Sequence, residues 1–118
     1  MKVAVFSDIQ ANLPALEETI EQIERWRPDL VVIATYSDSH ADLAIRAMES
    51  GAHVFVEKPL ATTRADAERV VETARRLNRK LVVGYILRHH PSWMRLIAEA
   101  RALGGPYVFR MNLNQQSS

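Results

Sequence analysis

The sequence predicts an α/β fold with four parallel strands in the order 1-2-3-4 and about four helices, arranged in two or three layers. Four short apolar runs rich in Val and Ile lack polar–apolar alternation, which is typical of strands buried on both faces. Segments of helical period separate them over short connections, as in right-handed βαβ units with neighbouring strands. The predicted strands are Lys2–Phe6, Leu30–Thr35, His53–Glu57 and Leu81–Tyr85.

The segments between the strands carry helix-end signals. Pro14 falls in the first turn of the first helix, where its missing N–H costs little. Gly51 follows the second helix as a stop, and Thr63 precedes Asp66 by three residues, as in a capping box. The predicted helices cover about residues 13–25, 39–50, 63–77 and 91–103, and an extended segment follows over 107–113.

Length and composition argue against several classes of function. A chain of 118 residues suits one domain, and a net charge of +1 gives no sign of a nucleic-acid partner. No apolar run approaches the roughly 18 residues of a membrane span, so we expect no membrane partner. The absence of cysteine excludes disulfides and thiolate metal sites and suits a cytoplasmic protein.

The first segment, residues 1–33, resembles calcineurin-like metallophosphoesterases of the small phosphodiesterase branch. The resemblance rests on Met1–Glu17, MKVAVFSDIQANLPALE, which follows the family's opening motif. Gln10 stands where that family has a metal-ligand histidine, and the strand from Asp29 leads into Ile33 instead of the family's Gly-Asp motif. A two-metal hydrolase needs several carboxylates and imidazoles, so we expect no metal site and no phosphoesterase activity.

From about residue 28 to 118 the chain resembles the Gfo/Idh/MocA oxidoreductases, over the second half of their nucleotide-binding domain. The motifs that carry the resemblance are DLVVIAT (29–35), SDSH (37–40), GAHVFVEKPLA (51–61) and LVVGY (81–85). This resemblance implies a Rossmann-like fold. The two resemblances together divide the predicted domain into a phosphoesterase-like segment (1–33), an oxidoreductase-like segment (34–106) and a C-terminal strand and tail (107–118).

The second resemblance also implies the candidate site. In that family the lysine of Glu-Lys-Pro lies beside the nicotinamide and the substrate, which makes Lys58 the candidate catalytic residue, and its bond to the following proline is expected to be cis. The implied cofactor-side residues are Thr35, Ser37, His40, Glu57, Lys58 and Pro59. Two local interpretations compete with these roles: Lys58 as a solvated loop lysine, and His40 as a hydrogen-bonding residue at a helix start.

A dinucleotide-binding loop is missing from the first strand–helix turn. Ser7–Asn12 contains no glycine, and Asp8 would place a carboxylate where the phosphates of a dinucleotide should sit. We therefore expect a non-catalytic chimeric module with no cofactor, and dinucleotide affinity weaker than about 1 mM. The alternative is an NAD(P)-dependent oxidoreductase fragment or subunit, and an unfavoured second alternative is a metallophosphoesterase-like protein.

The strand order also predicts an assembly. With strands in the order 1-2-3-4, right-handed crossovers place the first three helices on one face of the sheet. The opposite face is apolar and needs a cover. We expect a homodimer, with exchange of the C-terminal elements as one form of it.

Overall fold

A computed structural model describes residues 1–7 and 13–112. The strands are β1 (Val3–Ser7), β2 (Leu30–Ala34), β3 (His53–Val56) and β4 (Leu81–Val83). The helices are α1 (Leu13–Trp26), α2 (Ser37–Glu49), α3 (Arg64–Arg76) and α4 (Pro91–Leu103), and a 3-10 helix, Ile86–His89, precedes α4. None of the helices in this part of the chain is both long and apolar enough to cross a membrane.

The four strands form one parallel sheet in the order β1-β2-β3-β4, which confirms the predicted fold class and strand order. In the register, Ile33 pairs with both Phe6 and Val56, and Val56 pairs with Val83. Because side chains alternate between the faces of a strand, these four residues share one face of the sheet.

That face carries the core. Val31, Ile33, Val54 and Val56 are no more than 1% exposed, and they form one hydrophobic cluster with side chains from α1, α2 and α3. Helix residues in the cluster include Ile20, Ile23, Leu43, Ala44, Ala47, Met48, Val70 and Ala74. Fully burying a large aliphatic side chain contributes about 1.5–3 kcal/mol, so this cluster is the main stabilising feature of the sheet and its three helices.

The opposite face of the sheet is open to solvent at both of its edge strands. Val5 in β1 is 65% exposed and Val82 in β4 is 53% exposed. The intervening positions Val32 and Phe55 are half-buried. Unlike a sheet with helices on both faces, this sheet has the helices α1, α2 and α3 on one face, as the predicted crossovers require.

Local signals account for the helix starts. The Thr63 hydroxyl accepts a hydrogen bond from the Asp66 backbone N–H at 3.1 Å, so the predicted cap is present. Helix α2 begins at Ser37, two residues before the predicted start, and Tyr36 caps it in an extended conformation without a side-chain bond. Asn12, the residue before α1, lies outside the described residues.

The predicted second, third and fourth strands were too long at their carboxyl ends, whereas β1 extends one residue beyond its prediction, to Ser7. Thr35, Glu57 and Tyr85 lie just beyond the observed strands, because the chain turns there into the loops that lead to the following helices. Residues 107–112 form no strand, and Leu113 lies outside the described residues. The chain forms two compact units, Met1–Tyr85 and Ile86–Ser118, and the expectation of a single domain stays a prediction.

Candidate functional site

The carboxyl ends of the four strands lie along one edge of the sheet. Ser7 pairs with Ala34, and Ile33 pairs with Val56, which in turn pairs with Val83. The segments that follow β2, β3 and β4 therefore start side by side. In open parallel α/β sheets this is the edge at which ligands bind, and all six candidate cofactor-side residues follow strands at this edge.

The loop between β2 and α2 is a polar turn. The hydroxyls of Thr35 and Ser39 are 2.7 Å apart, and the Ser39 hydroxyl donates to the Tyr36 carbonyl at 2.8 Å. Tyr36 is 57% exposed, and Ser37 is partly exposed at the first position of α2. These contacts shape the loop around its own backbone and leave the Tyr36 ring accessible.

His40 joins this loop to the loop after β3. The imidazole is 1% exposed, with Nδ1 2.6 Å from the Pro59 carbonyl oxygen and Nε2 3.0 Å from the Thr35 carbonyl oxygen. Both partners are acceptors, and a neutral imidazole donates from one nitrogen at a time. The expected hydrogen-bonding role at a helix start therefore describes only the Thr35 contact, because Pro59 lies 19 residues further along the chain.

The Glu57-Lys58-Pro59 segment turns away from the sheet directly after β3. The Glu57 backbone N–H continues the ladder by donating to the Ile33 carbonyl at 2.8 Å, and its carboxylate accepts from the Lys58 backbone N–H at 3.3 Å. The Lys58 side chain is exposed, and the Lys58–Pro59 peptide bond is cis, as the family resemblance implied. The segment thus presents a cationic side chain at the carboxyl edge.

Gly84 belongs to the same edge, although it was not among the predicted site residues. It is buried, and its N–H donates to the Val56 carbonyl at 2.8 Å. A Cβ at this position would lie 3.1 Å from Glu57 Oε1, closer than nearly all side-chain contacts. The glycine after the apolar run LVV was the available sequence signal for this close approach.

At the carboxyl edge, Thr35 in the β2–α2 turn and Ser37 and His40 in the first turn of α2 thus adjoin the loop that holds Glu57, Lys58 and Pro59. Asp8 and Gln10, on which the phosphoesterase expectation rested, lie outside the described residues. Within residues 1–7 and 13–112, no group of three His, Asp or Glu side chains is placed to hold a metal ion.

The model of the Gfo/Idh/MocA oxidoreductase family, described as an oxidoreductase family with an NAD-binding Rossmann fold, matches residues 1–85. The chain belongs to this family. It is 33% identical over 83 residues to inositol 2-dehydrogenase from Salmonella typhimurium, covering 68% of this chain and 25% of that protein. It is 35% identical over 104 residues to inositol 2-dehydrogenase from Rubrobacter xylanophilus, covering 86% of this chain and 30% of that one.

The fold has a matching relative among solved structures. A dehydrogenase (MviM) from Clostridium difficile superposes with a TM-score of 0.62 at 27% identity, over 69% of this chain and 26% of that one. The chain spans about a quarter of the length of the Salmonella relative. The Gfo/Idh/MocA chain described here therefore corresponds to only part of the length of its relatives.

The family match begins at residue 1, so it includes the segment expected to be phosphoesterase-like. The comparisons give no support to a separate origin for residues 1–33 or to a junction near Asp29. The physical reason for the misleading resemblance is that MKVAVFSD is an apolar run with a polar stop. This stretch contains the strand β1, Val3–Ser7, and families that share an α/β fold can share such a strand without sharing a function.

Proposed function

We propose that this chain supplies the carboxyl-edge loops of an NAD(P)-dependent oxidoreductase of the Gfo/Idh/MocA type. The main support for the proposal is the pair of contacts that the buried His40 ring makes with the Thr35 carbonyl after β2 and the Pro59 carbonyl after β3. This buried side chain links the backbone of Pro59, the residue after Lys58, to the backbone of Thr35. This proposal replaces the non-catalytic module as the leading interpretation, since the family match covers residues 1–85.

The described residues suit one end of a nicotinamide dinucleotide. Hydroxyls from Thr35 and Ser37 and the ammonium group of Lys58 provide donors and a positive charge at the carboxyl edge. The diphosphate end is less well matched, because Ser7–Asn12 has no glycine and Pro14 removes one N–H from the first turn of α1. The residues therefore fit the nicotinamide-ribose end of such a cofactor.

The bound nicotinamide ring would supply the hydride chemistry of the reaction. In this proposal Lys58 Nζ places a positive charge beside the reacting oxygen of an alcohol or carbonyl substrate, where charge changes as hydride moves. Glu57 acts as a positioning residue, because its carboxylate accepts from the Lys58 backbone N–H and packs against Gly84. A polyol is the first substrate class to test, since two relatives are named inositol 2-dehydrogenases.

Titration with NADH and NADPH, followed by fluorescence and calorimetry, tests the proposal. We expect saturable binding with a Kd on the order of 0.1 mM, which is about −5.5 kcal/mol. Lys58→Ala should weaken it at least about fivefold, because it removes the only cation of the Glu-Lys-Pro loop. Lys80→Ala is the matched control, since Lys80 is exposed and precedes β4 at the opposite edge of the sheet.

The same titration distinguishes the proposed cofactor site from the competing interpretation, a non-catalytic module. Saturation below about 1 mM that responds to Lys58→Ala and not to Lys80→Ala supports a cofactor site at the carboxyl edge. Absence of binding up to that concentration, or equal losses in both variants, contradicts the proposal and favours the non-catalytic module.

A further inference from the structure

Tyr36 is an exposed aromatic residue whose identity the fold does not explain. It lies between the two candidate cofactor-side residues Thr35 and Ser37, and it is 57% exposed. It occupies the N-cap position of α2, yet its side chain makes no capping hydrogen bond. The residue types that stabilise this position are Ser, Thr, Asp and Asn, and an exposed ring adds little burial to the core. Neither helix capping nor core packing therefore accounts for a tyrosine here.

The Tyr36 backbone is held in place by the turn around it. Its carbonyl accepts from the Ser39 backbone N–H at 3.0 Å and from the Ser39 hydroxyl at 2.8 Å. A tyrosine side chain has only two torsions to fix, so holding the ring against a ligand costs little conformational entropy. Tyr36 thus offers a preorganised aromatic surface at the edge where ligands bind in open parallel sheets.

One imidazole contacts the sequence neighbours of both Tyr36 and Lys58. His40 Nε2 is 3.0 Å from the carbonyl oxygen of Thr35, which precedes Tyr36. Its Nδ1 is 2.6 Å from the carbonyl oxygen of Pro59, which follows Lys58. Both segments leave neighbouring strands, since β2 pairs with β3. An aromatic side chain and an ammonium-bearing side chain therefore start from adjoining backbone at one edge of the sheet.

The chemistry of this pair suits one part of a nicotinamide dinucleotide. A planar ring stacks on the face of a tyrosine, and a cation over that face is attracted by the quadrupole of the ring. The oxidised nicotinamide ring is planar, aromatic and positively charged, whereas the reduced ring and adenine are neutral at pH 7. Of the rings of the dinucleotide, the oxidised nicotinamide is therefore the one that the Tyr36 face attracts most strongly.

We propose that Tyr36 is a specificity-determining residue of the proposed cofactor site, and that its ring stacks on the nicotinamide ring and favours the oxidised form. This inference rests on the proposed function, because it requires a dinucleotide at the carboxyl edge. The Lys58 ammonium has the opposite preference, since it repels the positive charge of the oxidised ring and not the neutral reduced ring. The two side chains therefore change the ratio of the NAD⁺ and NADH affinities in opposite directions.

Calorimetric titration of Tyr36→Leu with NAD⁺ and NADH tests the proposal, because leucine retains an apolar side chain and removes the aromatic ring. We expect the Kd for NAD⁺ to rise at least about fivefold, the low end of the loss on removing one aromatic stacking contact. The rise in Kd for NADH should be at least about twofold smaller, because the reduced ring lacks the cation–π attraction. Tyr36→Phe keeps the ring and should keep both affinities, and Lys58→Ala should weaken NADH binding more than NAD⁺ binding.

Trp26→Leu is the matched control, and NMR identifies the ring in contact. Trp26 is a 49% exposed aromatic residue at the end of α1, and its carbonyl accepts from Lys2 Nζ, ahead of β1 at the opposite edge of the sheet. Its replacement should leave both Kd values unchanged. In saturation-transfer difference spectra with NAD⁺, Tyr36→Leu should reduce the signals of the nicotinamide protons and leave those of the adenine protons unchanged. Far-UV circular dichroism checks that each variant is folded.

The outcomes separate this inference from the function on which it rests. Binding that responds to Lys58→Ala and not to Tyr36→Leu overturns the role of Tyr36 and leaves the proposed function standing. A selective loss of the adenine signals, equal rises in Kd for NAD⁺ and NADH, or an equal effect of Trp26→Leu also overturns that role. Absence of any saturable dinucleotide binding overturns both.

Discussion

Replacing His40 by leucine tests the connection between the two loops of the candidate site. Leucine preserves apolar volume at a position that is 1% exposed, and it removes both ring nitrogens. The carbonyls of Thr35 and Pro59 then lose partners at 3.0 Å and 2.6 Å. The substitution therefore isolates the hydrogen bonds from the packing contribution.

The expected loss follows from the hydrogen bonds in the structure. One hydrogen bond makes a net contribution of about 0.5–1.5 kcal/mol to stability. A neutral imidazole donates to one carbonyl at a time, so the substitution removes one hydrogen bond and, in addition, the contact of the other ring nitrogen with the second carbonyl. We expect His40→Leu to lower the free energy of unfolding by about 1–2 kcal/mol. For a domain of this size that corresponds to a decrease in Tm of roughly 5–15 °C.

Urea denaturation followed by circular dichroism measures the change, and Met48→Leu is the matched control. Met48 is 1% exposed in the same helix, and a volume-conserving change there removes no hydrogen bond. Hydrogen exchange should also become faster at the amides of Lys58 and Leu60 in His40→Leu alone. A loss below about 0.5 kcal/mol, with unchanged exchange in this loop, would refute the assignment of His40 as the connection between the loops.

Two further predictions concern Gly84 and Asp66. Gly84→Ala should displace the Glu57 carboxylate, because the new Cβ would meet Oε1 at 3.1 Å, and should therefore weaken NADH binding. Gly105→Ala is the control, because its Cβ would meet nothing closer than 3.5 Å and should leave NADH binding unchanged; equal effects of the two substitutions would contradict the close approach. The Thr63 hydroxyl and then the Arg69 guanidinium hold the pKa of Asp66 below its usual value of 3.8. The ionised carboxylate therefore stabilises the fold above that pH, and the contribution is lost as pH falls through the lower folded-state pKa. Urea titrations at several pH values should show a stability difference between wild type and Asp66→Asn that shrinks on acidification, and a difference independent of pH would contradict it.

The sequence was a sound guide to the sheet because a parallel sheet has a strong local signature. Continuous apolar runs such as Leu30–Ala34 correctly indicated the strands, although only Val31 and Ile33, on one face of that strand, are fully buried, and short connections make successive strands neighbours. The same apolar-strand pattern contributed to the assignment of residues 1–33 to a second family, which the comparisons do not support. The first part of the Met1–Glu17 resemblance is the strand β1, so similarity over it discriminated poorly between families that share an α/β fold.

The site was predicted through a resemblance, and its internal contacts were not. The structure places the motifs around His40 and Lys58 at the carboxyl edge, yet nothing in their spacing showed that His40 reaches the Pro59 carbonyl. The contact between Gly84 and Glu57 was missed for the same reason, since it joins the ends of two neighbouring strands. Contacts of this kind join residues that are distant in sequence, such as Glu57 and Gly84, and local patterns of period and capping do not show them.

The sequence by itself determined the helices, the strands and their order, because helical period, apolar runs and caps such as Thr63 are local properties of the chain. Tertiary structure alone decided which carbonyls His40 contacts and how far Val5 and Val82 remain exposed. The physical reason is that burial and hydrogen-bond partners are set by the packing of elements distant in sequence. That packing leaves one face of this sheet covered by three helices and the other open.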